Sequence, residues 1–191
     1  VVNQINYFQN KDLGFKKDAI IVVPIPERAT DPKGDEATKM RTLRDELARV
    51  AGVEKASLNS TPPSSGSVSA TNFRIEGKEE AFGTQVKQVD GNYIDLFGLE
   101  LIAGQNIQDS DTATGFLVNE KLARTAGFQE PKDIVGKVIK MWGKHLPVVG
   151  VVKDFHTVSL HEPIEATVIL NRLRGYETLA VQVNPHQIQN V

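Results

Sequence analysis

An α+β fold is predicted for this chain from three observations. Residues 18–59 read as strand, amphipathic helix, strand, which is a β-α-β opening. From residue 99 onward the apolar residues come in short pieces parted by turn residues, with a helical pattern only at 119–126. With 191 residues, 40% apolar and 24% charged, the chain has globular composition and enough length to bury a core.

The elements follow in order. Val1, Val2, Ile5 and Phe8 stand at helical spacing, and residues 10–14 end that pattern, so 1–8 is expected as a capping helix or the tail of a helix leaving a membrane. Residues 18–25 are rich in β-branched side chains and stop at Pro24 and Pro26. After a polar loop at 29–35, residues 36–50 place Met40, Leu43, Leu47 and Val50 on one stripe, with Arg41, Arg44 and Arg49 elsewhere; Gly52 closes the helix. Residues 53–59 return as a strand. The stretch 60–69, with two prolines, one glycine and five serines, is expected to be a mobile loop. Strands are predicted at 71–75 and 84–90, a short helix at 92–97 stopped by Gly98, and a helix at 119–126 capped by Asn119 and closed by Gly127. Residues 135–141 and 145–152 form a hairpin turning at Trp142-Gly143-Lys144. The last strands are 166–170 and 179–183, and Asn184-Pro185 opens a further helix.

Composition narrows the function. A net charge of −2 gives no basic field for nucleic acid or anionic lipid. Without cysteine there is no disulfide, thiolate metal site or cysteine nucleophile. No apolar run approaches the ~18 residues that cross a bilayer. The chain begins Val1-Val2 with neither an initiator Met nor signal-peptide features, and is expected to be a piece of a longer protein.

Catalytic patterns are scarce. No G-x-x-x-x-G-K-[ST], G-x-G-x-x-G or G-x-S-x-G occurs. Asp154, His156, His161 and Glu162 gather two imidazoles and two carboxylates in nine residues, the composition of a metal or acid–base site. Their spacing opposes it, because residues five apart are about 140° around a helix and on opposite faces of a strand. Asp154, Phe155 and His156 are therefore expected to pin a structural turn. Trp142 reads either as a hairpin-tip aromatic folded over its own strands or as an exposed anchor.

Several phrases carry a family resemblance in order along nearly the whole chain. They are Lys11-Asp12-Leu13-Gly14-Phe15, Ala51-Gly52-Val53, Val89-Asp90-Gly91-Asn92-Tyr93, Phe97-Gly98-Leu99, Ala103-Gly104, Val118-Asn119-Glu120, Ile134-Val135-Gly136-Lys137, and the run 149–156 followed by Ser159-Leu160. Together they resemble the MacB-like periplasmic core domain of bacterial ABC-transporter permeases of the MacB/Lol/FtsX type. One departure is Gln105-Asn106-Ile107, where that family usually carries Arg-x-Phe.

The resemblance implies a porter-like β-α-β subdomain formed by both chain ends (1–90 and 160–191), with a smaller β-rich, sabre-like lobe inserted at 91–159. It implies a non-catalytic domain in the periplasm, held at the cell inner membrane by flanking helices. Its partners would be an ABC ATPase domain or subunit, a permease dimer mate, and a periplasmic adaptor or other envelope protein, with no nucleic acid. No cofactor is expected in this chain, since ATP acts on a separate cytoplasmic domain. Partner or cargo contact is expected first at Pro62, Pro63, Ser64 and Ser65, and then at Trp142. Two rival readings are a free periplasmic ligand-binding module, which requires a deep apolar pocket, and a hydrolase or metal enzyme built on Asp154, His156, His161 and Glu162.

Overall fold

The first and last apolar runs meet in one small sheet. β1 (Ile20–Pro24) and β2 (Val53–Asn59) flank β10 (Thr178–Val183), and both pairings are antiparallel. A computed structural model describes residues 19–25, 35–65, 68–110, 112–158, 162–171 and 176–184. The helices expected at 1–8 and after Asn184, most of the 29–35 loop, and His161 lie outside them. Helix α1 (Asp35–Leu47) links β1 to β2 and covers one face of the sheet. There Met40 and Leu47 pack on Ala56, Leu58, Leu179, Val181 and Val183.

The expected apolar stripe of α1 is only half right. Leu43 and Val50 are each 40% exposed, while Arg44, assigned by its charge to the outer side, is 5% exposed. Arg44 follows Met40 by four residues and precedes Leu47 by three, so it occupies the buried stripe itself. The buried carboxylate of Asp90, with Asp109 beside it, makes that rotation favourable.

The second β-system is a closed ring. Its strands are β3 (Ser69–Ile75), β4 (Phe82–Gln88), β5 (Leu101–Gly104), β6 (Phe116–Asn119), β7 (Val138–Met141), β8 (Lys144–Val152) and β9 (Thr167–Leu170). Pairing runs β8-β6-β9-β4-β3-β7 and returns from β7 to β8, with β5 lying along β8. Closure leaves the ring strands without open edges along the paired segments, the usual answer to edge-to-edge aggregation. Alternate residues point inward: Phe73, Ile75, Val86, Phe116, Val118, Ile139, Met141, Val148, Val168 and Leu170 share one core.

Short helices plug and brace the ring. α3 (Glu120–Thr125) adds Leu122 and Ala123 to the inner core, and a 3-10 turn (Pro131–Ile134) adds Ile134. Asn119 is the N-cap expected for α3: its side chain accepts from the Leu122 N–H at 3.0 Å. Outside the ring, α2 (Tyr93–Phe97) packs Tyr93, Ile94, Leu96 and Phe97 against Leu117, Val152, Ile169 and Ala180. Because Ala180 belongs to β10, this outer core also joins the two sheets.

Gly150 interrupts the apolar run of β8 for a steric reason. A Cβ there would stand 2.4 Å from the Gln105 carbonyl oxygen and 2.9 Å from Leu117 Cδ2. β5 and β6 approach β8 too closely to admit a side chain.

The whole is a mixed α/β fold with few helices and many strands. Sheet membership places β3, β4 and β9 in the ring, so the β-rich part extends to both sides of the 91–159 span read from the sequence. The reason is pairing at long range. β4 finds β9, about eighty residues away, in parallel register, Gln85 opposite Thr167, and no local pattern encodes such a partner. Among the described residues, no helix is long and apolar enough to cross a membrane.

Candidate functional site at the 60–65 clasp and the sheet junction

The loop after β2 departs from the mobile segment expected of its composition. Lys87 explains why. Its neighbour Val86 faces the barrel core, so strand alternation turns Lys87 outward, under residues 61–65. There it is 0% exposed. Its ammonium donates to Thr61 Oγ1 at 2.7 Å, the Pro62 carbonyl at 2.9 Å and Ser65 Oγ at 3.4 Å. Buried Tyr93 donates its hydroxyl to the Thr61 carbonyl at 3.2 Å. Pro63 is buried, Pro62 and Ser65 are half-buried, and only Ser64 of the four expected contact residues is exposed.

The far side of the same loop reaches the turn at 153–158. Ser65 N–H donates to the Thr157 carbonyl at 3.2 Å, and Ser64 Oγ to the Val158 carbonyl at 2.6 Å. Thus two features that are separate in the sequence, the Ser/Pro loop and the Asp154-Phe155-His156 turn, form one clasp. Asp154 accepts from the Lys121 backbone N–H at 2.7 Å and pairs with Arg124, while its own N–H donates to Glu120 Oε2 at 3.0 Å. Phe155 is 0% exposed in the outer core. His156 is half-buried, and its Nδ1 is buried without a hydrogen-bond partner.

Lys87 holds the loop and is not placed to activate a hydroxyl. A Ser–Lys pair activates its hydroxyl only if the amine can accept a proton from it. The three protons of Lys87 are directed to three oxygens, one of them a carbonyl that can only accept. Burial lowers the Lys87 pKa to about 8. Asp154 is occupied as a cap on the first turn of α3. Among the described residues, no group of three His, Cys, Asp or Glu side chains is placed to hold a metal ion.

A second buried cation sits where the sheet meets the ring. Arg44 donates from Nη1 to Asp90 Oδ2 and from Nη2 to Asp109 Oδ2, both at 2.8 Å, and pairs with Asp45 as well. Asp90, 1% exposed, also accepts from Ser57 Oγ at 2.7 Å, Leu58 N–H at 2.8 Å and Asn92 N–H at 3.1 Å. Burial pushes the Asp90 carboxyl up, while the Leu58 amide, Arg44 and Ser57 pull it back. With four donors converging on it, it is the carboxylate that this site holds. Burial likewise opposes the Arg44 charge, but its bonds to Asp109 and Asp90 outweigh that and raise its pKa. The junction thereby ties α1, β2, the β4–α2 link and the strap at 105–109 together.

Trp142 stands apart from the clasp, at the tip of the β7–β8 hairpin. Trp142 and Gly143 have φ of 52° and 72°, and Met141 pairs with Lys144, a two-residue turn of the I′ kind. The indole N–H donates to Thr71 Oγ1 at 3.1 Å, yet the residue stays 43% exposed. Trp142 thus folds back onto β3 and still presents a face to solvent.

Lys87 and Arg44 were not legible as site residues from charge alone. The signal for Arg44 lay in position, since it stands between Met40 and Leu47 on the buried stripe of α1, whereas nothing local marks Lys87, which lies on the face of β4 opposite Val86.

Comparison with known proteins places this geometry. The fold is similar to the extracellular domain of the noncanonic ABC-type transporter YknZ from Gram-positive bacteria, with a TM-score of 0.57 and 17% identity over 89% of this chain and 85% of that one. It is also similar to the periplasmic region of MacB from Actinobacillus actinomycetemcomitans, with a TM-score of 0.60 and 12% identity over 92% of this chain and 81% of that one. At these identities the likeness is one of fold. No curated protein matches the chain by sequence. The family match is independent of those structures and spans residues 2–189: the chain belongs to the MacB-like periplasmic core domain family of ABC-transporter permeases.

Proposed function

We propose that this chain is the moving extracytoplasmic part of an ABC permease anchored in the cell inner membrane. A cytoplasmic ATPase domain drives transmembrane helices flanking the chain, and these displace the domain relative to its copy in a permease dimer. The displacement expels cargo, releases it, or regulates a periplasmic adaptor or other envelope protein. The chain itself performs no chemistry and carries no cofactor; ATP acts on its partner. For such motion to do work, the two arrangements must differ in affinity for cargo or partner.

The observation that carries this reading, beside family membership, is the Arg44 junction. The three-stranded sheet contains both the first and last described strands, so it receives any force applied through the chain ends. The junction and the outer core fix that sheet to the ring. In family terms we read the sheet with α1 as the porter-like part and the ring as the sabre-like lobe, a reading supported by sheet membership, which changes near residues 60 and 171. Partner contact is assigned to Ser64, at the exposed crest of the clasp, and to Trp142. The rival free binding module calls for a deep apolar pocket, whereas the groove at 70–72, 83–85 and 165–166 is open.

Spin labels at Lys132 in both copies of the intact permease, reconstituted with its ATPase, test this. The label-to-label distance is expected to shift between the ATP-free and vanadate-trapped states. An unchanged distance in a preparation that hydrolyses ATP would overturn the reading.

A further inference from the structure

We propose that residues 1–8 dock as an amphipathic helix in an apolar trough that β1 and α1 leave open. Register sets the floor of this trough. Cross-strand partners share a face, so Ile21, opposite Val181, and Val23, opposite Leu179, belong to the face on which Met40 and Leu47 pack. Leu179 and Val181 are buried there, yet Ile21 and Val23 are each 47% exposed. α1 thus covers the β10 and β2 side of the face and leaves β1 bare.

The wall follows from the helical step. Counted from Met40, Arg44 lies about 40° to one side of the buried stripe and Leu43 about 60° to the other. Arg44 reaches Asp90, which bonds the Leu58 backbone on the side of β2 turned away from β10. Leu43 therefore leans the opposite way, toward β1, and its exposed side chain walls the trough. Such a strand calls for a cover. Residues 19–26 hold no charged side chain, although edge strands are normally blunted by charge or covered by a helix or loop. Among the described residues β1 is the outer strand of its sheet, and Pro24 blunts only its last position.

The chain itself supplies the occupant. Val1, Val2, Ile5 and Phe8 repeat at helical spacing, an apolar stripe to set against Ile21, Val23 and Leu43. Residues 9–18 join that stripe to Ala19 at the head of β1, and fully extended they reach ~33 Å. That is about twice the ~17 Å length of a five-residue strand, so the segment can turn back over the sheet. Eight helical residues span about 12 Å and fit along β1 beside α1. Other segments adjoining the sheet offer less: 26–34 has no Val, Leu, Ile, Met or aromatic residue, and 185–191 has only Ile188 and Val191. Eight residues are too few for a helix stable by itself in water, so its formation and its docking are one event.

The test uses the 191-residue chain in solution, so it does not depend on the permease reading. Without native cysteine, one introduced thiol reports on one position. Val23 is more exposed than Leu101 of the ring in the described structure. Under the proposal Val23→Cys should nonetheless react with a small maleimide about tenfold more slowly than Leu101→Cys. Adding Ile5→Asp and Phe8→Asp should restore the faster rate. In the unsubstituted chain, NOEs are expected from Ile5 and Phe8 to Ile21, Val23 or Leu43, unchanged on dilution. Three results would each overturn the proposal: equal reactivity of the two thiols, protection that survives both Asp substitutions, or protection that fades on dilution, which would mean that a second copy covers the trough.

Discussion

The junction and the clasp each bury a cation, and they solve the same problem in opposite ways. Arg44 meets two carboxylates at 2.8 Å and is held more firmly charged than in water. Lys87 meets the neutral oxygens of Thr61, Pro62 and Ser65, and burial brings its pKa to about 8. A guanidinium cannot lose its proton in a protein and its planar fork matches paired carboxylates, so it suits a joint that must stay closed. An ammonium on a flexible stem can lose a proton, and it suits a loop gathered over a strand. The junction is thus a charge-paired tie and the clasp one made to neutral oxygens.

The strongest way to break this comparison is at Asp90. Arg44→Met should destabilise the chain by about 3–5 kcal/mol in urea unfolding, because it leaves a buried carboxylate unpaired. Adding Asp90→Asn should return part of the loss. A single-variant loss below about 1 kcal/mol would place Arg44 among surface pairs and end the contrast.

At Lys87 the sign depends on pH. The folded-state pKa lies below the unfolded value of 10.5, so between about 8 and 10.5 the unfolded chain binds more protons. Stability should therefore rise with pH across that window, by at most about 3 kcal/mol. Buried Tyr93 and Tyr176 are both shifted upward and act in the opposite sense near the top of the window. The comparison is thus made against Lys87→Met, which keeps the tyrosines and should lack the rise. Parallel curves for the two proteins would mean that Lys87 is not buried as a cation.

Asp154→Ala sharpens the account of the clasp. It removes the acceptor of the Lys121 N–H and the partner of Arg124, at an expected cost of about 1–2 kcal/mol. Hydrogen exchange should quicken at α3 and leave α1 unchanged. Equal quickening in both helices would show that clasp and junction open together.

Trp142→Asn has the smallest expected effect and lies outside both sites. Asparagine tolerates the left-handed backbone of a type I′ turn far better than tryptophan, against the loss of one bond to Thr71. A net gain of about 0.5–1 kcal/mol in thermal unfolding is expected. A loss would mean that the indole contributes more to β3 than its exposure suggests.

Legibility in the sequence varied with the range of the interaction. Asn119 as a cap, Gly98 as a helix stop and the turn at Trp142-Gly143 were all readable, since each concerns neighbours within four residues. The stripe of α1 was half readable: Met40 and Leu47 face inward as hydropathy dictates, but Leu43 gives way to Arg44. Hydropathy ranks Arg44 as exposed because it cannot register a carboxylate forty-six residues away. The 60–65 loop failed for the same reason, as its serines and prolines look mobile until Lys87 is placed beneath them.

By itself the sequence determined the element types, the absence of cysteine chemistry and, through short phrases in a fixed order, the family. Those properties depend on local backbone preference and on side chains within a turn of one another. The tertiary structure alone decided the closure of the ring, the division between sheet and barrel, and the burial of two cations. Each of these requires residues far apart in the chain to meet, and the energy of a buried charge depends on which partners arrive with it.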